Sequence, residues 1–142
     1  MRDILFKGRD KYTNEWFYGF VEAPHTTVDG VVESYYFNSY VNGKSCRKII
    51  SADTLGQYTG LTDKNGNKIF EGDIVDDQEF IGVVKYNEII ASFVVEINDT
   101  NQNYYHWSPL NMGDPSREKQ LKYTEIVGNL HDNPELLKEA EQ

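Results

Sequence analysis

The chain has 142 residues, 39% hydrophobic and 26% charged, which fits one compact domain or two small lobes and excludes a disordered chain. The net charge of -9 is uneven: residues 1–52 carry seven basic and six acidic side chains, and residues 53–142 carry seven basic and seventeen acidic, a balance that repels phosphate backbones. The single cysteine, Cys46, excludes an intrachain disulfide, no apolar run approaches the roughly 20 residues of a membrane helix, and the charged first ten residues do not read as a signal peptide, so the cytoplasm is the expected compartment.

Period-2 alternation broken by glycine turns predicts a mostly β chain. Ile4 to Lys7 reads as a first short strand. Glu15 to Glu22 reads as a second, with Trp16, Tyr18 and Phe20 alternating against Phe17, Gly19 and Val21. Asp29-Gly30 marks a turn before a strand over Val31 to Val41. Asn42-Gly43 then predicts a tight hairpin into Lys44 through Ser51, because both turn residues tolerate positive φ. Short extended pieces at Gln57–Leu61 and Lys68–Phe70 flank the polar Asn65-Gly66 turn. Phe80 to Tyr86 and Ile89 to Ile97 alternate cleanly, which predicts a hairpin joined by Asn87-Glu88 alone. Ile89, Ala91, Phe93, Val95 and Ile97 would share its buried face. Asn103 to Trp107 and Tyr123 to Leu130 read as strands, with a loop over 108–122. Asn133-Pro134-Glu135 predicts a helix start, Asn133 capping and Pro134 in the first turn, with Leu136, Leu137 and Ala140 as its apolar stripe. The expected fold is therefore mostly β (α+β at most): an antiparallel meander over 1–52, a small SH3-like β-barrel-type module over 53–142, and one short C-terminal helix.

Three stretches carry a family resemblance. The run from Gln57 to Val75, including Thr59-Gly60-Leu61-Thr62-Asp63, Asn65-Gly66-Asn67 and Phe70-Glu71-Gly72-Asp73-Ile74-Val75, resembles the signature of the YopX family of phage and prophage proteins. Phe6-Lys7-Gly8-Arg9-Asp10 with Asn14-Glu15-Trp16-Phe17-Tyr18-Gly19 resembles that family's N-terminal strand pair, and Glu125 to Leu137 its C-terminal end. The resemblance implies a β-rich fold and a gene carried by temperate phages or integrated elements. It implies no reaction and no catalytic residues.

The residues offer little catalytic chemistry. Asp73, Asp76, Asp77 and Glu79 lie within seven positions and could present oxygens to a divalent cation, but their spacing lacks the order of an EF-hand loop and reads as a solvated acidic turn. His25, His106 and His131 are far apart and show no metal-ligand spacing. Cys46 has basic neighbours in Arg47 and Lys48 but no recognisable base. No nucleophile elbow and no phosphate-binding loop occurs. No catalytic, cofactor-binding or metal-binding residue is expected.

Aromatics are the stronger signal, since ten of the nineteen fall in residues 1–50. Tyr12, Trp16, Tyr18, Tyr35, Tyr36 and Tyr40, with Arg47 and Lys48, form the candidate interaction surface, near Arg2, Lys7, Arg9 and Lys11. The expected function is a non-enzymatic interaction protein that binds another protein, self-association included, with the acidic second half favouring a basic partner. One alternative is nucleic-acid binding by the aromatic, basic first half, where rings stack on bases. Another is a metal-dependent hydrolase using the acids from Asp73 to Glu79.

Overall fold

The computed structural model describes residues 4–78, 81–96, 105–107 and 122–139. In chain order the strands are β1 (Phe6–Arg9), β2 (Trp16–Thr26), β3 (Val32–Val41), β4 (Lys44–Ser51), β5 (Gly56–Thr62), β6 (Lys68–Phe70), β7 (Asp73–Asp76), β8 (Ile81–Asn87), β9 (Ser92–Glu96), β10 (Tyr105–Trp107) and β11 (Glu125–Asn129). A 3₁₀ turn spans Ala52–Thr54, and one short helix, α1, spans Glu135–Glu139. The described residues are thus mostly β and antiparallel, with one short helix near the C-terminus. It packs as two units, Met1–Tyr58 and Thr59–Gln142, the division falling inside β5.

In the first unit the strand order is β4-β3-β2-β1-β5. Asn42 (φ 53) and Gly43 (φ 77) make the two-residue turn that sets β3 on β4, from Val41 opposite Lys44 to Ser34 opposite Ser51. β2 runs past its expected end to Thr26 through a bulge between Val21 and Ala23. Pro24 follows that bulge. Among the described residues the pairing of β2 with β1 ends at Gly19, so Pro24 lies along an edge where its missing N–H is tolerated. The far end of β4 returns to β1: Asp10 bridges Ile50, and Lys11 N donates to Ile49 O at 2.9 Å. The sheet therefore curls around an inner face that carries Phe37 and Ile50, both fully buried. Gly8 and Gly19 belong to this face because a Cβ there would run into Ile50 and into Asn38 O beside the Phe37 ring.

In the second unit five strands run in the order β10-β9-β8-β7-β11. Consecutive residues are buried in β7 (Ile74, Val75), β8 (Val83, Val84) and β9 (Phe93, Val94, Val95), so both faces of this sheet are covered. Ile69, Val75, Val84 and Val95 form one packed cluster with Ile126 against it. Among the described residues no pairing joins β10 to β11, and the expected SH3-like closure into a barrel is not seen.

Two local expectations are corrected. The β8–β9 connection is four residues, 88–91, not Asn87-Glu88 alone. Asn87 Oδ1 accepts from the N–H groups of Ile89 (2.9 Å) and Ile90 (3.3 Å), and Ala91 takes φ 51. The side-chain carboxamide replaces a backbone turn, so Ile89 stands 95% exposed instead of continuing the buried face. Asn133 does not cap α1 with its side chain. Its Oδ1 turns back to accept from Asn129 N at 3.3 Å, and its main-chain oxygen accepts from Leu136 N at 3.1 Å. Phe80, Ile97, Asn103, Ala140 and most of the 108–122 loop lie outside the described residues.

Candidate interaction face

Side chains alternate across a strand, so the registers of β1 to β4 sort the first unit into two faces. The outer face, opposite Phe37 and Ile50, can be taken row by row. Arg9 pairs with Trp16, and Lys7 with Tyr18. Phe20 pairs with Asn38, which pairs in turn with Arg47, while Tyr40 pairs with Ser45. Beyond the bulge, Ala23 pairs with Tyr36 and Tyr36 with Ile49; His25 pairs with Ser34.

Direct contacts agree with this sorting. The Lys7 ammonium lies 5.2 Å and the Arg9 guanidinium 5.7 Å from the Trp16 ring centre. Arg47 lies 4.5 Å over the Tyr36 ring, and its Nε is 3.3 Å from a Glu22 carboxylate oxygen. His25 meets Tyr36 edge to face at 5.8 Å. Ser45 Oγ donates to Asn38 Oδ1 at 2.7 Å. Three rings of this face are well exposed: Tyr18 at 54%, Phe20 at 50% and Tyr40 at 71%.

Of the eight residues singled out from the sequence, five therefore share one face: Trp16, Tyr18, Tyr36, Tyr40 and Arg47. Tyr35 and Lys48 do not join them. They sit in the inner-face register with Ile50 and Phe37, and Lys48 Nζ lies 4.5 Å from the centre of the Phe17 ring. Tyr12 belongs to the turn after β1. Its N–H donates to Asp10 Oδ1 at 2.8 Å, and its side chain lines a shallow pocket of about 130 Å³ with Lys11, His25, Ser34, Tyr36 and Ile49. Sequence reasoning left Phe20 and Glu22 out of the candidate set. The alternation Trp16, Tyr18, Phe20 already held the first, but the bulge that brings Glu22 to Arg47 has no local signature.

The other candidates separate into backbone ligands. Asp73 is buried, and its Oδ2 accepts from Phe70 N at 2.8 Å. Asp76 Oδ1 accepts from Gln78 N at 2.8 Å; Glu79 lies outside the described residues. Among the described residues no three of His, Cys, Asp and Glu gather around a point that could hold a metal ion. Cys46 is a half-buried free thiol in the inner-face register, opposite Ser39. His131 N donates to Asn129 Oδ1 at 3.0 Å, and the side chain of His106 lies outside what the structure describes.

In the second unit Asp63 is a buried acceptor, only 5% exposed. Oδ1 accepts from Asn65 N and Asn67 N, both at 2.9 Å, and Oδ2 from Ile126 N at 3.1 Å. Burial pushes this carboxyl's pKa up, but the N–H groups of Ile126, Asn67 and Asn65, with the Asn67 side chain, outweigh burial and hold it below its ordinary value. The carboxylate thus ties the β5–β6 turn to β11.

The fold and this face define a mostly β protein whose outward chemistry is a set of rings and cations on a curled antiparallel sheet. The chain belongs to the YopX family: the family model, described as YopX protein, matches residues 5–138. No curated protein matches it. Among solved structures it is similar to protein EF1440 from Enterococcus faecalis, a crystal structure 24% identical over 96% of this chain and 99% of that one, with a TM-score of 0.49.

Proposed function

We propose that this YopX protein is a non-enzymatic binding module that takes a protein partner on the outer face of its first unit. The observation that carries this reading is the exposure of Tyr18, Phe20 and Tyr40 around Asn38 and Arg47. Exposed rings fixed on strands present large areas with little side-chain entropy left to lose, and Tyr and Arg are enriched where protein interfaces are buried. Arg9 and Arg47, the latter 3.3 Å from a Glu22 carboxylate oxygen, add positive charge to the face and favour contact with a partner whose rim is acidic. The basic partner expected from the second half would be steered by net charge over distance, not held at this face. A phage or prophage setting and a cytoplasmic place of work complete the proposal.

The test is affinity capture from bacterial lysate at low and high salt, with wild type beside a Tyr18→Ser, Phe20→Ser, Tyr40→Ser variant. A partner retained by wild type and lost by the folded variant supports the reading. Equal recovery by both proteins, or recovery by neither, overturns it.

A second reading, single-stranded nucleic acid, is favoured by Lys7 and Arg9 flanking Trp16. Against it, Lys7 is only 8% exposed, and the net charge of -9 repels a long phosphate backbone. Gel shifts with single-stranded oligonucleotides at low salt decide between the two. A shift abolished by Trp16→Ala would replace the protein reading.

A further inference from the structure

We infer that the edge of β4 is a docking strand for an acidic, extended peptide segment, which adds to the sheet by backbone hydrogen bonding beside Lys44, Arg47 and Lys48. The inference rests on the proposed binding role and specifies the partner's local chemistry.

β4 ends the sheet order of the first unit. Asn42 and Gly43 form a two-residue turn with positive φ, so the closing pair Val41–Lys44 exchanges hydrogen bonds. Lys44, Cys46, Lys48 and Ile50 then direct their backbone groups to β3. Ser45, Arg47 and Ile49 direct theirs the other way. Ile49 shows this plainly, since its carbonyl accepts from Lys11 N at 2.9 Å. The main chain at the β1 end of the edge is thus already used as a strand partner. Among the described residues no other element takes up the stretch at Ser45 and Arg47, both exposed. An exposed strand edge is a template for another extended chain.

The side chains say which chain. β4 carries Lys44, Arg47 and Lys48 and no acid. A second copy would set these cations against their own kind, which is how edge lysines prevent strand-to-strand association. An acidic segment reverses the sign. Its alternate side chains would meet Lys44 and Lys48 on the inner-face side, while those between face Arg47 and Ile49. Glu22 already engages Arg47, so the two lysines are the main selectors of charge. Lys48 Nζ lies 4.5 Å from the centre of the Phe17 ring. The net charge of -9 does not forbid this, because exposed charges farther off than about 8 Å are largely screened at physiological salt. Where Lys11 closes the edge, the pocket lined by Tyr12, His25, Tyr36 and Ile49 gives the segment's last side chain a place to lie.

The probe is the peptide Ac-Glu-Val-Glu-Tyr-Glu-Val-NH2, with its glutamates replaced by lysine as one control and with alternate backbone nitrogens methylated as another. Binding is followed by fluorescence anisotropy at physiological salt. The acidic peptide should bind at least tenfold more tightly than either control. Lys44→Glu with Lys48→Glu should invert the preference between the acidic and basic peptides. Ser45→Pro removes an outward N–H without touching the β3 ladder and should weaken acidic-peptide binding at least tenfold. No binding of the acidic peptide, equal binding of the methylated one, or an unchanged preference in the charge-reversed protein overturns the inference. The two readings fail separately. If the peptide fails while Tyr18, Phe20 and Tyr40 still govern capture from lysate, only the edge is refuted. If the peptide binds as stated while capture yields nothing, the outer face is refuted and the edge stands.

Discussion

The first unit turns its distinctive residues outward, and the second turns them in. On β2 and β3 the rings of Tyr18, Phe20 and Tyr40 stand in solvent. In the run from Gln57 to Val75, which makes the family recognisable, the buried polar side chains of Thr59, Asp63 and Asp73 serve the backbone. Thr59, fully buried, donates from Oγ1 to Ile69 O at 2.9 Å and accepts from Leu61 N at 3.2 Å. Asp63 and Asp73 accept backbone N–H groups, and Gly66 and Gly72 take φ 83 and 93. A dense sequence signature can therefore record how many buried backbone groups a turn must satisfy, with no reaction behind it. The residues suited to recognition are less conspicuous, because tyrosines in strands are common.

The hardest blow to this contrast would come from Asp63. Asp63→Ala takes the shared acceptor from three part-buried hydrogen bonds, those donated by Asn65, Asn67 and Ile126, and should cost about 3 kcal/mol, at roughly one for each. Urea unfolding measures it, and a loss below about 1 kcal/mol would mean that the signature's polar residues do not hold the second unit. Next comes a position in the first unit that is also structural. Gly8→Ala drives a Cβ into the Ile50 side chain and should cost about 2 kcal/mol by overpacking. A neutral result would show that the inner face is slack, and the inner–outer distinction would lose its basis.

Asp63→Asn is milder, about 1–2 kcal/mol, because one oxygen remains to accept. Its pH dependence carries the sign. The folded pKa lies below the ordinary 3.8, so the carboxylate's stabilisation is complete above the unfolded value and drains away as pH falls through the folded one. The stability gap between wild type and Asp63→Asn is then widest near neutrality and closes in acid below about pH 3.8. Denaturant midpoints at neutral and acid pH read this directly. A gap of constant size would assign the stabilisation to shape and not to charge.

Much of the strand plan was legible because its signals are local. Asn42-Gly43 fixes a turn type by itself, and with it the β3–β4 register. Trp16, Tyr18 and Phe20 announce a shared face by alternation alone. The 88–91 loop was not legible, since Ile89 and Ala91 continue the apolar alternation of β9 and only Asn87 signals the turn. That Tyr35 and Tyr36 go to opposite faces follows from alternation within one strand; which of the two joins Ile50 on the inner face is set by the register against β4. Asp63 read as part of a polar turn because its third backbone donor, Ile126, lies 63 residues away. Long-range closure of that kind leaves no mark on either segment.

The smallest expected effect on stability is also the one that most sharpens the contrast. Replacing Tyr18, Phe20 and Tyr40 together with serine should shift unfolding by no more than about 0.5 kcal/mol for each site, as exposed positions do. Small losses are expected even there, because rings across a strand pair support one another by a few tenths of a kcal/mol. If the variant unfolds far more easily, the rings hold the sheet, and the outer face is as structural as the inner one. If it keeps its midpoint and its partner is lost, stability and recognition separate along the two faces of one sheet. That separation is what a binding surface requires: residues that the fold can spare, held in place by residues that it cannot.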